Sequence, residues 1–80
     1  MFHVYVLKSE RNGKRYIGCT SKPPNERLEE HNKNSNRWTS QNGPFKLIYS
    51  EAFQDKKEAF GRERFLKSGQ GRKWFQDNGY

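Results

Sequence analysis

The chain predicts an α+β fold, a small three-stranded antiparallel sheet flanked by helices in the order β-β-α-β-α-α, on three observations. Phe2 to Leu7 and Arg15 to Thr20 are strand-like runs of β-branched and aromatic residues separated by SERNGK, whose Asn12-Gly13 pair favours a hairpin. Pro23 and Pro24 cannot continue a ladder but suit the first turn of a helix. A last strand pattern, Phe45 to Phe53, is followed by two helical stretches, so the helices cover a small sheet rather than alternate with parallel strands.

The hairpin register decides where Tyr5 and Tyr16 point. A two-residue turn at Asn12-Gly13 pairs Arg11 with Lys14 and sets Leu7 opposite Gly18, with both tyrosines on one face but about 13 Å apart along the ladder. A four-residue loop from Ser9 to Asn12 places Tyr5 directly across from Tyr16. A loop of intermediate size splits them onto opposite faces. The residues alone leave these three open.

The first helix is expected from about Pro24 to Asn32, with Thr20 or Ser21 as a cap, Leu28 as its one aliphatic, and Arg27 and His31 sharing a face. KNSNRWTSQNGP reads as a long polar loop in which Trp38 is the evident anchor. Asp55, with Glu58 three residues on, opens the second helix; Ala59, Phe60, Phe65 and Leu66 supply its apolar residues, and Gly69 is its expected stop. GQGRKWFQ begins a short last helix that packs Trp74 and Phe75.

Eighty residues make one small domain, residues 1–80, with a thin core. Only 30% of residues are hydrophobic, but six Phe, four Tyr and two Trp bury enough area each to support folding. A net charge of +7 and a pI near 9.8 point to a polyanionic partner, against the plainer reading of solubility. The single cysteine, Cys19, rules out an internal disulfide and a multi-cysteine zinc site. With no apolar run of membrane-spanning length and no leader pattern, a cytoplasmic protein with no membrane partner is expected.

Glu63 is the most informative residue, because it stands on the apolar stripe of the second helix among Ala59, Phe60 and Leu66. A carboxylate buried there calls for a cation, Arg27, Arg64, Lys67 or a metal ion; the plainer alternative is simple exposure at the edge of the stripe. Gly61, two residues earlier, weakens the helix and leaves room for another backbone. Arg27 can hold a phosphate oxygen and His31 can move a proton, although Glu26, Glu29 and Glu30 beside them could equally make this a neutralised, solvated face. Tyr5 and Tyr16 are ordinary strand residues unless nearby cations lower their pKa. Cys19 lacks an adjacent base and reads as a small buried side chain.

VYVL, then YIG after eight residues, then RLEEHN and finally EAFGRERFLKSGQGRKW together resemble the GIY-YIG nuclease superfamily, in particular its small stand-alone bacterial members, across nearly the whole chain. The resemblance implies a metal-dependent endonuclease that hydrolyses phosphodiester bonds in nucleic acid, DNA first, in repair, recombination or a mobile element. It also implies Glu63 as the ligand of a divalent ion, Mg²⁺ or Mn²⁺, and Arg27 as the contact to the scissile phosphate. Tyr5 and Tyr16 become the pair that orders or deprotonates the attacking water, His31 an acid, base or phosphate contact, and Gly18 a structural glycine. It favours the longer hairpin loop that sets the tyrosines side by side. His3, Val4 and Pro24 depart from the family's usual residues, and Cys19 stands where some members carry a lysine near the site.

Arg15, Lys67, Arg72 and Lys73 are the expected nucleic-acid-binding residues. The competing reading is a noncatalytic basic nucleic-acid-binding module, in which these cations and Lys46 hold phosphates and exposed Trp or Phe side chains stack bases. The set Tyr5, Tyr16, Arg27, His31 and Glu63 favours the enzyme, since a pure binder has no use for a lone carboxylate that repels phosphate.

Overall fold

VYVL carries no polar residue, and a strand that is apolar at successive positions must be covered on both faces. It lies in β1 (Phe2–Ser9), the centre of a three-stranded antiparallel sheet of order β2-β1-β3, with β2 at Arg15–Thr20 and β3 at Phe45–Phe53. Helices α1 (Pro24–Lys33), α2 (Lys56–Lys67) and α3 (Gly69–Asp77) complete the α+β order that the sequence predicts. The structure, a computed structural model, describes residues 1–33 and 43–80, and the expected Trp38 anchor lies outside the described residues. None of the described helices is long and apolar enough to cross a membrane.

The two faces of β1 feed separate apolar clusters. Val4 and Val6 pack with Ala59 and Leu66 of α2 and Phe75 of α3. Tyr5 and Leu7 point the other way and pack with Phe45, Leu47 and Leu28 of α1. Each fully buried aliphatic or aromatic side chain contributes roughly 1.5–3 kcal/mol, so this thin core depends on a few residues of the central strand. A bulge between Val6 and Leu7 pairs them with Tyr49 and Leu47, leaving Ile48 as the extra residue of β3.

The hairpin differs from all three expected registers. Tyr5 pairs with Gly18 and Leu7 with Tyr16, because the loop has four residues but runs from Glu10 to Gly13, not from Ser9 to Asn12. Ser9 is buried and stays in the ladder: its N–H donates to Lys14 O at 2.8 Å, and its hydroxyl accepts from the N–H groups of Arg11 and Asn12. Gly13 takes a φ of 75°, closing the loop rather than centring a two-residue turn. The tyrosines therefore share a face, as diagonal rather than direct neighbours.

Smaller corrections follow the same logic of local hydrogen bonding. Thr20, one of the expected caps of α1, accepts instead from Lys22 N at 3.0 Å, and the helix begins against the Pro23 carbonyl. Asp55 does cap α2, accepting from Lys57 N at 2.9 Å. That helix stops one residue before the expected Gly69, at Ser68, which also caps α3 by accepting from Gly71 N. Gly71 is the close-approach glycine of this region: a β-carbon there would lie 2.3 Å from Phe65 O and 2.5 Å from Leu66 Cα. Gly61, expected to admit another backbone, has nothing within 4 Å of where its β-carbon would be.

Candidate active site

α1 is held against the open face of the sheet at its C-terminal end. Asn32 imitates a backbone partner for β3, its side-chain oxygen accepting from Phe45 N at 2.9 Å and its amide donating to Phe45 O at 3.1 Å. That clamp fixes the rotation of α1 and turns Arg27 and His31, one helical turn apart, toward Tyr5 and Tyr16. Nothing in the sequence reading singled out Asn32, although an Asn in a helix's last turn just before a long connection is a usable signal.

Tyr5, Tyr16 and His31 form a ring cluster. Their centroids are separated by 6.3 Å for the two tyrosines, 4.5 Å for Tyr16 and His31, and 6.3 Å for Tyr5 and His31. Arg27 Nε donates to the Tyr5 hydroxyl at 3.4 Å, and its Nη1 pairs with Glu30, which Lys22 also holds at 3.0 Å. Glu30 therefore does neutralise part of the Arg27 charge, as the solvated-face reading expected, yet the guanidinium is only partly exposed and still reaches the phenol.

These surroundings set the protonation states. Burial is the largest effect on Tyr5 and pushes its phenol up, outweighing the opposing pull of Arg27. Nearby cations do not lower this phenol, because desolvation outweighs Arg27. His31 moves down, first from burial and then from the Arg27 charge, so it is neutral at pH 7. Its Nε2 is buried and has no hydrogen-bond partner among the described residues.

Gly18 is needed where it stands. Tyr5 lies across β2, and a β-carbon on Gly18 would meet its hydroxyl oxygen at 2.5 Å and its Cζ at 2.6 Å. The phenol can project beyond β1 only because that position has no side chain. Glu63 approaches from α2: its negative charge contributes to raising both Tyr5 and Cys19. Of the cations expected to meet Glu63, Lys67 does, at 3.6 Å, with the carboxylate side chain 19% exposed. Cys19 is half-buried against the core and its thiol is pushed up, mainly by burial, which keeps it protonated.

Among the described residues no three His, Cys, Asp or Glu side chains converge on a metal position. A partly sheltered carboxylate whose ion pair among the described residues is one loose ammonium contact suits a hard divalent ion that retains waters and takes further oxygens from a phosphate. It does not suit a closed structural zinc site.

The expected phosphate-binding cations are divided. Lys67 and Arg72 line a surface groove of about 450 Å³ with Tyr16, Ser68 and Phe75, and Lys73 is exposed. Arg15 borders the same groove but is committed to the fold: its Nη2 donates to Tyr80 O at 2.6 Å and its guanidinium lies over the Phe75 ring at 4.8 Å.

A helix-borne Arg and His thus face two strand tyrosines, and Glu63 on a second helix acts on Tyr5 through its charge. The family profile of the GIY-YIG catalytic domain matches residues 1–78, and the chain belongs to this nuclease-domain family. Its relatives include UPF0213 proteins from Clostridium perfringens (37% identical over 84% of this chain and 71% of that protein) and Streptococcus pneumoniae (39%, over 81% and 65%). A UPF0213 protein from Staphylococcus aureus is 35% identical over 81% of this chain and 78% of its own length. The chain thus spans between about two-thirds and four-fifths of these relatives. No solved structure matches it.

Proposed function

We propose that the chain is a metal-dependent endonuclease that hydrolyses phosphodiester bonds in nucleic acid, with DNA as its substrate. The observation that carries this reading is the contact between Arg27 and the Tyr5 hydroxyl beside the Tyr16–His31 pair. It supplies a fixed cation, a hydrogen-bonding phenol and a neutral imidazole on one face, which is what attack on a phosphate by water requires.

The roles follow from the protonation states. Arg27 keeps its charge and opposes the negative charge that builds on the phosphate oxygens. Tyr5, raised by burial, keeps its proton at neutral pH and orients the water or a phosphate oxygen as a donor. His31 is the group able to accept a proton at that pH, and Tyr16, whose ring is tilted against it at a centroid distance of 4.5 Å, guides the attacking water. As the water oxygen bonds to phosphorus, its proton passes to His31, the bond from phosphorus to the leaving oxygen breaks, and that oxygen takes a proton from solvent. Glu63 would hold Mg²⁺ or Mn²⁺, which when bound neutralises the phosphate and the leaving oxygen. Lys67 and Arg72 hold flanking phosphates along their groove.

Incubation of the protein with labelled duplex, branched and single-stranded DNA and with RNA tests this, with Mg²⁺, Mn²⁺ or a chelator present. Cleavage of DNA in either metal and none in chelator is expected. Tight binding without cleavage on every substrate would instead favour the noncatalytic binding module.

A further inference from the structure

Phe60 departs from its expected place. Its spacing puts it on the apolar stripe of α2, but the helix buries Ala59 and Leu66 and leaves Phe60 46% exposed. An exposed phenylalanine alone has no meaning. This one is a wall shared by two surface depressions, one of which Glu63 also lines. One is lined by Phe60, Glu63, Arg64 and Lys67, the other by Phe60, Phe2, Cys19, Thr20, Ser21 and Lys56. The Lys56 ammonium lies over the Phe60 ring at 5.3 Å.

An apolar ring standing between two depressions, with a cation on each side, matches the chemistry of one nucleotide: a flat face for a base and positive charge for the phosphates beside it. A packed duplex hides its base faces, so such a ring is of use only where a base is unstacked. We infer that Phe60 is a stacking platform for an unpaired base beside Glu63, so that the site takes single-stranded or branched nucleic acid in preference to intact duplex. The inference rests on the nuclease reading above and assigns that site its substrate class. Lys56, Arg64 and Lys67 would hold the phosphates on either side of the base.

Binding measured in chelator separates this from catalysis. The probes are a short single-stranded DNA carrying the fluorescent adenine analogue 2-aminopurine and an unlabelled duplex of the same length. Wild-type protein should quench the analogue and bind the single strand more tightly than the duplex. Phe60→Ala should lose the quenching and weaken single-strand binding by about 5- to 150-fold, with duplex binding changed less than about twofold and thermal stability nearly unchanged, since the ring is exposed. Phe60→Trp should retain quenching and affinity, which a purely structural role for Phe60 would not require. If the wild type binds the single strand but Phe60→Ala binds and quenches equally well, the stacking role is wrong and the nuclease reading stands. Should the wild type bind neither probe, both fall together.

Discussion

Tyr5 crosses the hairpin to lie over Gly18, so that a β-carbon at position 18 would sit 2.5 Å from the phenolic oxygen. Gly18→Ala is therefore a change at the site as well as in the strand. The Tyr5 ring is almost wholly buried and cannot swing aside without disturbing Leu28 and Phe45. We expect a stability loss of about 1–3 kcal/mol, seen as a fall in Tm. Loss of the Arg27 contact should accompany it, so activity should fall further than the folded fraction accounts for.

Gly71 and Gly61 should respond in opposite directions. Alanine at 71 meets backbone atoms of Phe65 and Leu66 that cannot yield without separating α2 from α3. A loss above about 2 kcal/mol is expected. Alanine at 61 faces open space in a helix interior and should stabilise by about 0.5–1 kcal/mol. Chemical denaturation of the two variants beside the wild type checks both signs.

Much of this arrangement is legible in the sequence because it depends on residue type alone. VYVL can only be a doubly covered strand, and Arg27 and His31 must share a helix face. The hairpin register was not legible, because Asn12-Gly13 announces a turn without fixing its length. What decided it was the buried Ser9 hydroxyl serving two loop N–H groups. Phe60 and Glu63 read alike as stripe residues, since periodicity marks a face but not how far the sheet beneath extends. The protonation state of Tyr5 is not legible for a related reason: composition reports how many cations there are, whereas burial determines the balance at one phenol.

His31 gives the fold a pH dependence. Its folded pKa lies below the usual 6.5, so as pH falls the unfolded chain takes up the proton first. Stability should be fully present above about pH 6.5, decline below it and level off once pH passes the folded value. His31→Gln should reduce that slope by up to about one proton in Tm measurements across this range. Cleavage by the wild type should persist somewhat below pH 6.5, because the imidazole there is still neutral.

Arg15 and Arg72 separate structural from phosphate-binding cations. Arg15→Lys keeps the charge but loses the fixed donor to Tyr80 O and the flat stack on Phe75. It should cost about 1–2 kcal/mol of stability and leave the salt dependence of DNA binding unchanged. Arg72→Ala should leave Tm nearly unchanged and reduce the magnitude of the log–log salt slope by about one.

The central claim is that Glu63 holds the divalent ion at this site, and Glu63→Gln tests it most directly because the amide keeps the shape and removes the charge. Cleavage and binding of the same labelled branched DNA should be measured for both proteins in Mg²⁺ and Mn²⁺. The account predicts that the variant binds at least as tightly as wild type, having lost a charge that repels phosphate, while its cleavage falls to the chelator background. A Glu63→Gln protein that cuts as fast as wild type would contradict it.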